Sequence, residues 1–169
     1  AINIAPTLHE KAEICQNAID LWRVLFNHDQ KPKVALLSAV ETVTERMPST
    51  LDAACLCKMA ERGQITNAIL DGPLAFDNAI DPQAAQDKGI HSPVAGDADI
   101  IVVPNIEAGN ALAKQLTFLG HAGAAGIVLG SRVPIILTSR ASGDIARKAS
   151  CALAQLVVRG RRANRKEKE

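Results

Sequence analysis

Apolar residues along this chain come in two patterns: short unbroken aliphatic runs, and stretches in which they recur every three or four positions. The runs predict strands buried on both faces, and the recurrences predict amphipathic helices. The first helix opens at "TLHE", where Thr7 and Glu10 have capping-box spacing, and Cys15, Ala18, Ile19, Trp22 and Phe26 form its buried stripe. "KVALLSAVE" follows, with Val34 to Leu37 as a core strand. Ser49, with Asp52 three residues on, signals a second helix carrying Leu51, Ala54, Cys55 and Met59 inward, and Gly63 is a plausible stop. "TNAILDGPL" predicts a strand ending at Asp71-Gly72-Pro73. "DADIIVVPNIEAGNALAKQL" predicts a strand ending at Pro104-Asn105, then a helix with Leu112, Leu116 and Leu119 on one face. "AAGIVLG" and "VPIILTSR" are two further strands, before a last helix with Ile145, Ala149, Leu153 and Leu156 inward.

Strands alternating with helices define an α/β layered fold with a largely parallel sheet. The link Gly130 to Arg132 is too brief for a helical crossover, so one strand is antiparallel or reached by a tight turn. Neither an internal repeat nor a low-complexity linker divides the chain. The segment Asp81 to Gly96, punctuated by Pro82, Gly89 and Pro93, is the least regular part and suits a mobile loop or lid. The expected organisation is one domain over residues 1–158 and a basic, solvated tail over 159–169.

Composition sharpens this picture. Hydrophobic residues make up 47% of the 169 but aromatics only 2%, so Ala, Val, Ile and Leu must build the core. A formal net charge of +1 offers no overall field to attract nucleic acid or an anionic membrane, and any anionic ligand must be held by local groups. Cys15, Cys55, Cys57 and Cys151 form no CxxC pair and lack histidines at metal-ligand spacing, which predicts reduced, mostly buried thiols and no metal. No apolar run approaches the ~20 residues of a membrane span, and the N-terminus lacks a signal-peptide layout, so a cytoplasmic protein is expected.

In open α/β sheets ligands lie outside the carboxyl ends of the strands. The polar groups there are Ser38 to Glu41, Asp71 to Asn78, Pro104 to Asn110, and the pair Ser139-Arg140. There is no GxGxxG, no GxxxxGK[ST] and no GxSxG. Ser139, Arg140 and Asp144 make a chemically coherent set: a planar guanidinium for phosphate, a hydroxyl for a developing oxyanion or thiolate, and a carboxylate to accept a proton. Ser142 as N-cap would put Asp144 in the first turn of the last helix, where the helix dipole keeps it ionised. The same residues also fit helix punctuation and a solvated strand end.

From Lys33 onward the sequence resembles the phosphate acetyltransferase and phosphate butyryltransferase family, through "KVALLSAVE", "DGPLAFDNAI", "VAGDADIIVVPNIEAGNALAKQL" and "PIILTSRA" in the family's order. The resemblance implies reversible acyl transfer between coenzyme A and inorganic phosphate, with coenzyme A as substrate and no cofactor. It also implies a three-layer α/β/α, isocitrate/isopropylmalate dehydrogenase-like fold, whose paired domains enclose the active site. The family's Ser-Arg falls on Ser139 and Arg140, and its downstream proton acceptor most nearly matches Asp144. Asp71, Pro73 and Asp77, and Asn105, Glu107, Gly109 and Asn110, lie on motifs bordering the family's cleft. Each also fits a turn or cap: Asp71-Gly72-Pro73 has turn chemistry, and Asn105 is placed to cap a helix. The match corresponds to the later half of the family's enzymes, implying an earlier domain that completes the cleft, and a homodimer. "EAGN" and "TSRA" lean towards butyryl-type or broad-specificity relatives, some of which carry this domain after a hydratase-like module.

Two rival classes are a non-catalytic coenzyme A or phosphate-binding module of the same fold and a dehydrogenase of the related two-domain fold. The first need not keep Ser139 and Arg140 together. The second should carry metal-binding aspartates and a nucleotide loop, and neither is found.

Overall fold

The computed structural model describes residues 2–26, 30–140 and 142–166. The chain divides into two compact units: one comprises the chain up to residue 19 together with residues 30–111, and the other takes residues 20–26 and those from 112 on.

Unit 1 is organised by β1 (Lys33–Leu37), which lies between β2 (Ile69–Leu74) and β3 (Ile100–Val102) in a parallel sheet of order β2-β1-β3. Strand alternation sends Val34 and Leu36 to one face and Ala35 to the other, and both faces are buried. Against the first face pack Ala12, Cys15 and Ile19 of α1 (Leu8–Phe26) and Ala53 and Leu56 of α2 (Pro48–Glu61). Against the second lie Ala79 of α3 (Phe76–Ile80) and the fully buried Val94. Unit 1 is thus a helix-covered α/β sheet, as the sequence pattern requires.

Helix boundaries follow local chemistry where the caps are local. Thr7 N donates to Glu10 Oε2 at 2.7 Å and Glu10 N to Thr7 Oγ1 at 3.3 Å, the expected capping box. Gly63 ends α2 at φ +75°, with Gly63 N on Ala60 O and Gln64 N on Met59 O closing a Schellman motif. The start of α2 differs from expectation: Met47 is the N-cap, with Pro48 in the first turn and no side-chain cap. Ser49 instead meets Ser38 Oγ at 2.8 Å, and Asp52 takes an ion pair with Lys11. The inward face of α2 is Thr50, Ala53 and Leu56, whereas the expected Leu51 and Cys55 are exposed. Gly72 matters for the sheet itself, since a Cβ there would stand 2.7 Å from Leu36 Cβ, where the β1–β2 register shifts.

The segment expected as a loop or lid is built into unit 1. It carries α4 (Pro82–Asp87), capped by Asp81 accepting from Gln83 N, and Gly96 N donates to Asn78 O at 2.8 Å. Gly96 has φ +82° and would drive a Cβ to 2.5 Å from Pro82 Cα, so it packs directly on α4.

In unit 2, β4 (Ile127–Val128) and β5 (Ile135–Ile136) pair antiparallel across a short turn. The antiparallel pairing is one of the two expected arrangements, and the hairpin stands as its own two-stranded sheet. From unit 1, α5 (Ile106–Lys114) passes into unit 2 and continues as a π-helical turn over Gln115–Leu119. There Leu116 and Leu119 are exposed, against the expected buried face. The last helix, α6 (Asp144–Lys166), runs through most of the stretch expected as a tail. Its buried side is Ser150, Ala154 and Val157, while Ile145 and Leu156 face outward. Ser150 explains the rotation: its Oγ donates to Ala146 O at 2.7 Å and accepts from Gly126 N at 2.9 Å, docking α6 onto the start of β4. Arg161 Nη1 donates to Ser131 O and Arg132 O, holding the β4–β5 turn. Among the described residues, no helix is long and apolar enough to cross a membrane.

Candidate functional site

The carboxyl ends of β1, β2 and β3 bring two of the expected groups to one edge of unit 1, flanking Ser38 at the end of β1. On the β2 side, Asp71 Oδ1 accepts from Gly72 N at 2.8 Å, Pro73 is buried, and Asp77 stands exposed in the first turn of α3. On the β3 side, Asn105 caps α5, its Oδ1 accepting from Ala108 N at 3.0 Å. Glu107 and Asn110 are exposed on α5, and Gly109 is buried. Capping therefore occupies the Asn105 carbonyl and Asp71 supports its own turn, leaving Asp77, Glu107 and Asn110 as the outward-facing polar groups of the two motifs.

Sequence reasoning missed two lysines that organise this edge. Lys88, the C-cap of α4, reaches Glu41 Oε1 at 2.8 Å and Asp77 Oδ2 at 3.0 Å. The Lys88 hydrogen bond is the main cause that holds the Glu41 and Asp77 carboxyls below the usual carboxylate range, and both partners raise Lys88. Asn78, fully buried, donates Nδ2 to Glu41, while its Oδ1 has no hydrogen-bond partner among the described residues. The second lysine, Lys11, is buried on α1 and pairs with Asp52 Oδ2 at 2.6 Å. Stranding one member of this pair would cost about 3 kcal/mol, the low end for buried pairs because Asp52 keeps some solvent. Its signal was present in the sequence: Lys11 lies four residues before Cys15, on the buried stripe itself, where a charge must find a partner.

Ser139, Arg140 and Asp144 belong to unit 2, in the β5–α6 connection. Ser139 and Arg140 are exposed, and Ser142 N donates to Ser139 O at 2.9 Å, closing a turn. Arg140 has no ion-pair partner among the described residues, so its guanidinium is open to an anion. Asp144 is in the first turn of α6 as expected, but Gly143, not Ser142, is the residue whose carbonyl takes the first helical bond, from Arg147 N. The Asp144 side chain is 85% exposed and lies 3.6 Å from Arg147 Nη1. The cysteines are less buried than expected: Cys15 is inside, Cys57 partly so, and Cys55 and Cys151 are exposed. No metal-binding cluster of His, Cys, Asp or Glu occurs among the described residues.

A parallel sheet with polar groups at its carboxyl edge, and a separate unit presenting a Ser-Arg turn, define an α/β protein. The chain belongs to the phosphate acetyl/butaryl transferase family, whose model matches residues 1–154. It is 65% identical over 163 residues to a phosphate acetyltransferase of Rhizobium meliloti, covering 96% of this chain and 51% of that protein. It is 45% identical over 158 residues to a phosphate butyryltransferase of Clostridium acetobutylicum, covering 94% of this chain and 52% of that one. Among solved structures, a branched-chain phosphotransacylase from Enterococcus faecalis V583 superposes with a TM-score of 0.83 at 39% identity, over 94% of this chain and 56% of that one. The chain thus spans about half the length of the relatives it matches. The acetyl-named relative is the more similar of the two, against the slight butyryl lean of the sequence motifs.

Proposed function

We propose that this chain supplies part of a phosphate acyltransferase, which moves an acyl group reversibly between coenzyme A and inorganic phosphate. The observation that carries the reading is the family match over residues 1–154, which includes Ser139 and the open guanidinium of Arg140 in one turn. In the direction of acyl-CoA formation, the coenzyme A thiol gives its proton to a base and the sulfur attacks the carbonyl carbon of the acyl phosphate. A carbon–sulfur bond forms, the tetrahedral oxyanion collapses, and the carbon–oxygen bond to phosphate breaks with release of inorganic phosphate. Arg140 holds the phosphate or the acyl carbonyl, and Ser139 donates to the oxyanion or thiolate. Asp144 is the proton acceptor, and release from Arg147 would free it for that role. These steps need positioning, charge stabilisation and one base, and coenzyme A enters as substrate.

Asp71, Pro73, Asp77, Asn105, Glu107, Gly109 and Asn110 form the substrate-facing edge of unit 1 in this reading. An isocitrate/isopropylmalate dehydrogenase-like α/β/α pairing, with an earlier domain closing the cleft, a homodimeric assembly and a cytoplasmic location complete it. The test is acyl-CoA formation from acetyl phosphate and butyryl phosphate with free coenzyme A, followed by thioester absorbance. Arg140→Ala is expected to lower kcat/KM by about a hundredfold or more, the scale for losing a charged stabiliser of the transition state. Coenzyme A binding without turnover would favour the binding-module reading.

A further inference from the structure

The order β2-β1-β3 contains one topological switch: the chain leaves β1 to one side for β2, then crosses to the other side for β3. Ligands of open α/β sheets lie in the crevice outside the carboxyl ends of the strands that flank such a switch, which here are β1 and β3. The crevice at that place is walled by Leu37, Val103 and Pro104 and by Ser49 and Asp52 of α2, and Lys11 enters it from α1. All of these belong to unit 1. The Lys11 side chain is only 9% exposed, and Asp52 Oδ2, at 2.6 Å, is the ammonium's one partner among the described residues. An ammonium has three N–H donors, so two remain for whatever enters the crevice.

Size and charge select the occupant. The crevice is partly open to solvent, with room for roughly one water-sized oxygen, about 10 Å³, within its walls. Asp52 already neutralises Lys11, so the pair offers hydrogen bonds without a net attraction for anions. The aliphatic walls suit an alkyl chain beside that oxygen. We infer that the β1–β3 crevice seats a neutral carbonyl oxygen of the acyl-carrying substrate, an amide of the pantetheine arm, on the spare donors of Lys11, with Asp52 orienting the ammonium. This inference rests on the acyltransferase reading above and names a contact within it.

The test uses the whole chain labelled with ¹³C at the lysine Cε, titrated separately with pantetheine, butyryl phosphate and inorganic phosphate. The Cε resonance that disappears in Lys11→Met is expected to shift with pantetheine, and Lys11→Met to weaken pantetheine binding about tenfold, as for loss of a charged hydrogen-bond donor. Should Lys11→Met fail to fold, Lys11→Arg assigns the resonance and the wild-type titration decides. Pantetheine binding that leaves the Lys11 resonance unmoved overturns the assignment while the acyltransferase reading stands. A shift with butyryl phosphate alone, or with inorganic phosphate, overturns the pantetheine assignment in favour of the acyl group or an anion. Absence of pantetheine binding, coenzyme A binding and turnover together removes the reading beneath it.

Discussion

Burial separates the four cysteines into two chemical kinds. Cys15 is fully enclosed by the core of unit 1, and desolvation, with Cys57 nearby, pushes its thiol up to about 12. Cys57 is also raised to about 12, chiefly by desolvation and then by the charges of Asp71 and Glu61. Cys55 and Cys151 face solvent. Because the thiolate is the reactive form, at about pH 8 an aromatic disulfide reagent should titrate Cys55 and Cys151 in the folded chain, and all four thiols once it is denatured. Fast labelling of a third thiol under native conditions would contradict the burial of Cys15 and Cys57. Single residues were legible in the sequence where their partners are a few positions away, as with Thr7 and Glu10. They were illegible where the partner comes from another element: Ser49 turns to Ser38, and Asp52 to Lys11, both lost to the capping reading.

At the scale of elements, the strand pattern was legible because aliphatic runs buried on both faces have no other use, and β1 to β5 all fall within predicted runs. Helix faces were less so. In α2 and α6 the docking faces mix small residues, Ala53 and Ser150, with Leu56 and Val157, while the equally large Leu51 and Ile145 point outward. A pattern weighted by apolar bulk alone does not separate the two sides when close approach also decides the packing. The Pro and Gly that punctuate the segment 81–96 suit a mobile loop or lid in the sequence, yet those residues shape α4 and its contacts, and Lys88 ties α4 to Glu41 and Asp77. That tie has a pH signature. Glu41 and Asp77 have depressed folded values, so their contribution is present above the unfolded carboxylate value of about 4 and is lost as pH falls through the folded values. Lys88, raised, contributes below its unfolded value of about 10 and loses that contribution as pH rises through the folded one. Lys88→Met should therefore lower the unfolding midpoint in urea at neutral pH and leave it closer to wild type at an acidic pH below the folded carboxylate values, where the carboxylates are protonated. An equal effect at both pH values would assign Lys88 a packing role in place of the ionic one. The groups are solvent-exposed, so the difference should shrink in high salt.

For the molecule as a whole, the unevenness between the units is the informative feature. Unit 1 encloses the cores formed around β1, whereas unit 2 leaves Leu119 78% and Ile145 86% exposed, along with Phe118, Val133 and Ile135. Two strands of two residues cannot cover so many apolar side chains, and exposed apolar surface on this scale marks an interaction face. Each such side chain contributes about 1.5–3 kcal/mol when fully buried, so association at micromolar concentration, which must also offset about 4–15 kcal/mol of lost freedom, needs most of them buried together. Sedimentation velocity of the isolated chain should therefore show a concentration-dependent dimer, and Ile145→Glu or Leu119→Glu should shift it toward monomer. The thermal midpoint of unit 1 should be unmoved by these changes, since neither residue belongs to its cores. A wild-type chain that remains monomeric at micromolar concentration would contradict the homodimer and leave these side chains without a role in self-assembly. Association relieved by only one of the two substitutions would locate the contact on the π-helical turn or on α6, and so show which side of unit 2 remains free to present Arg140.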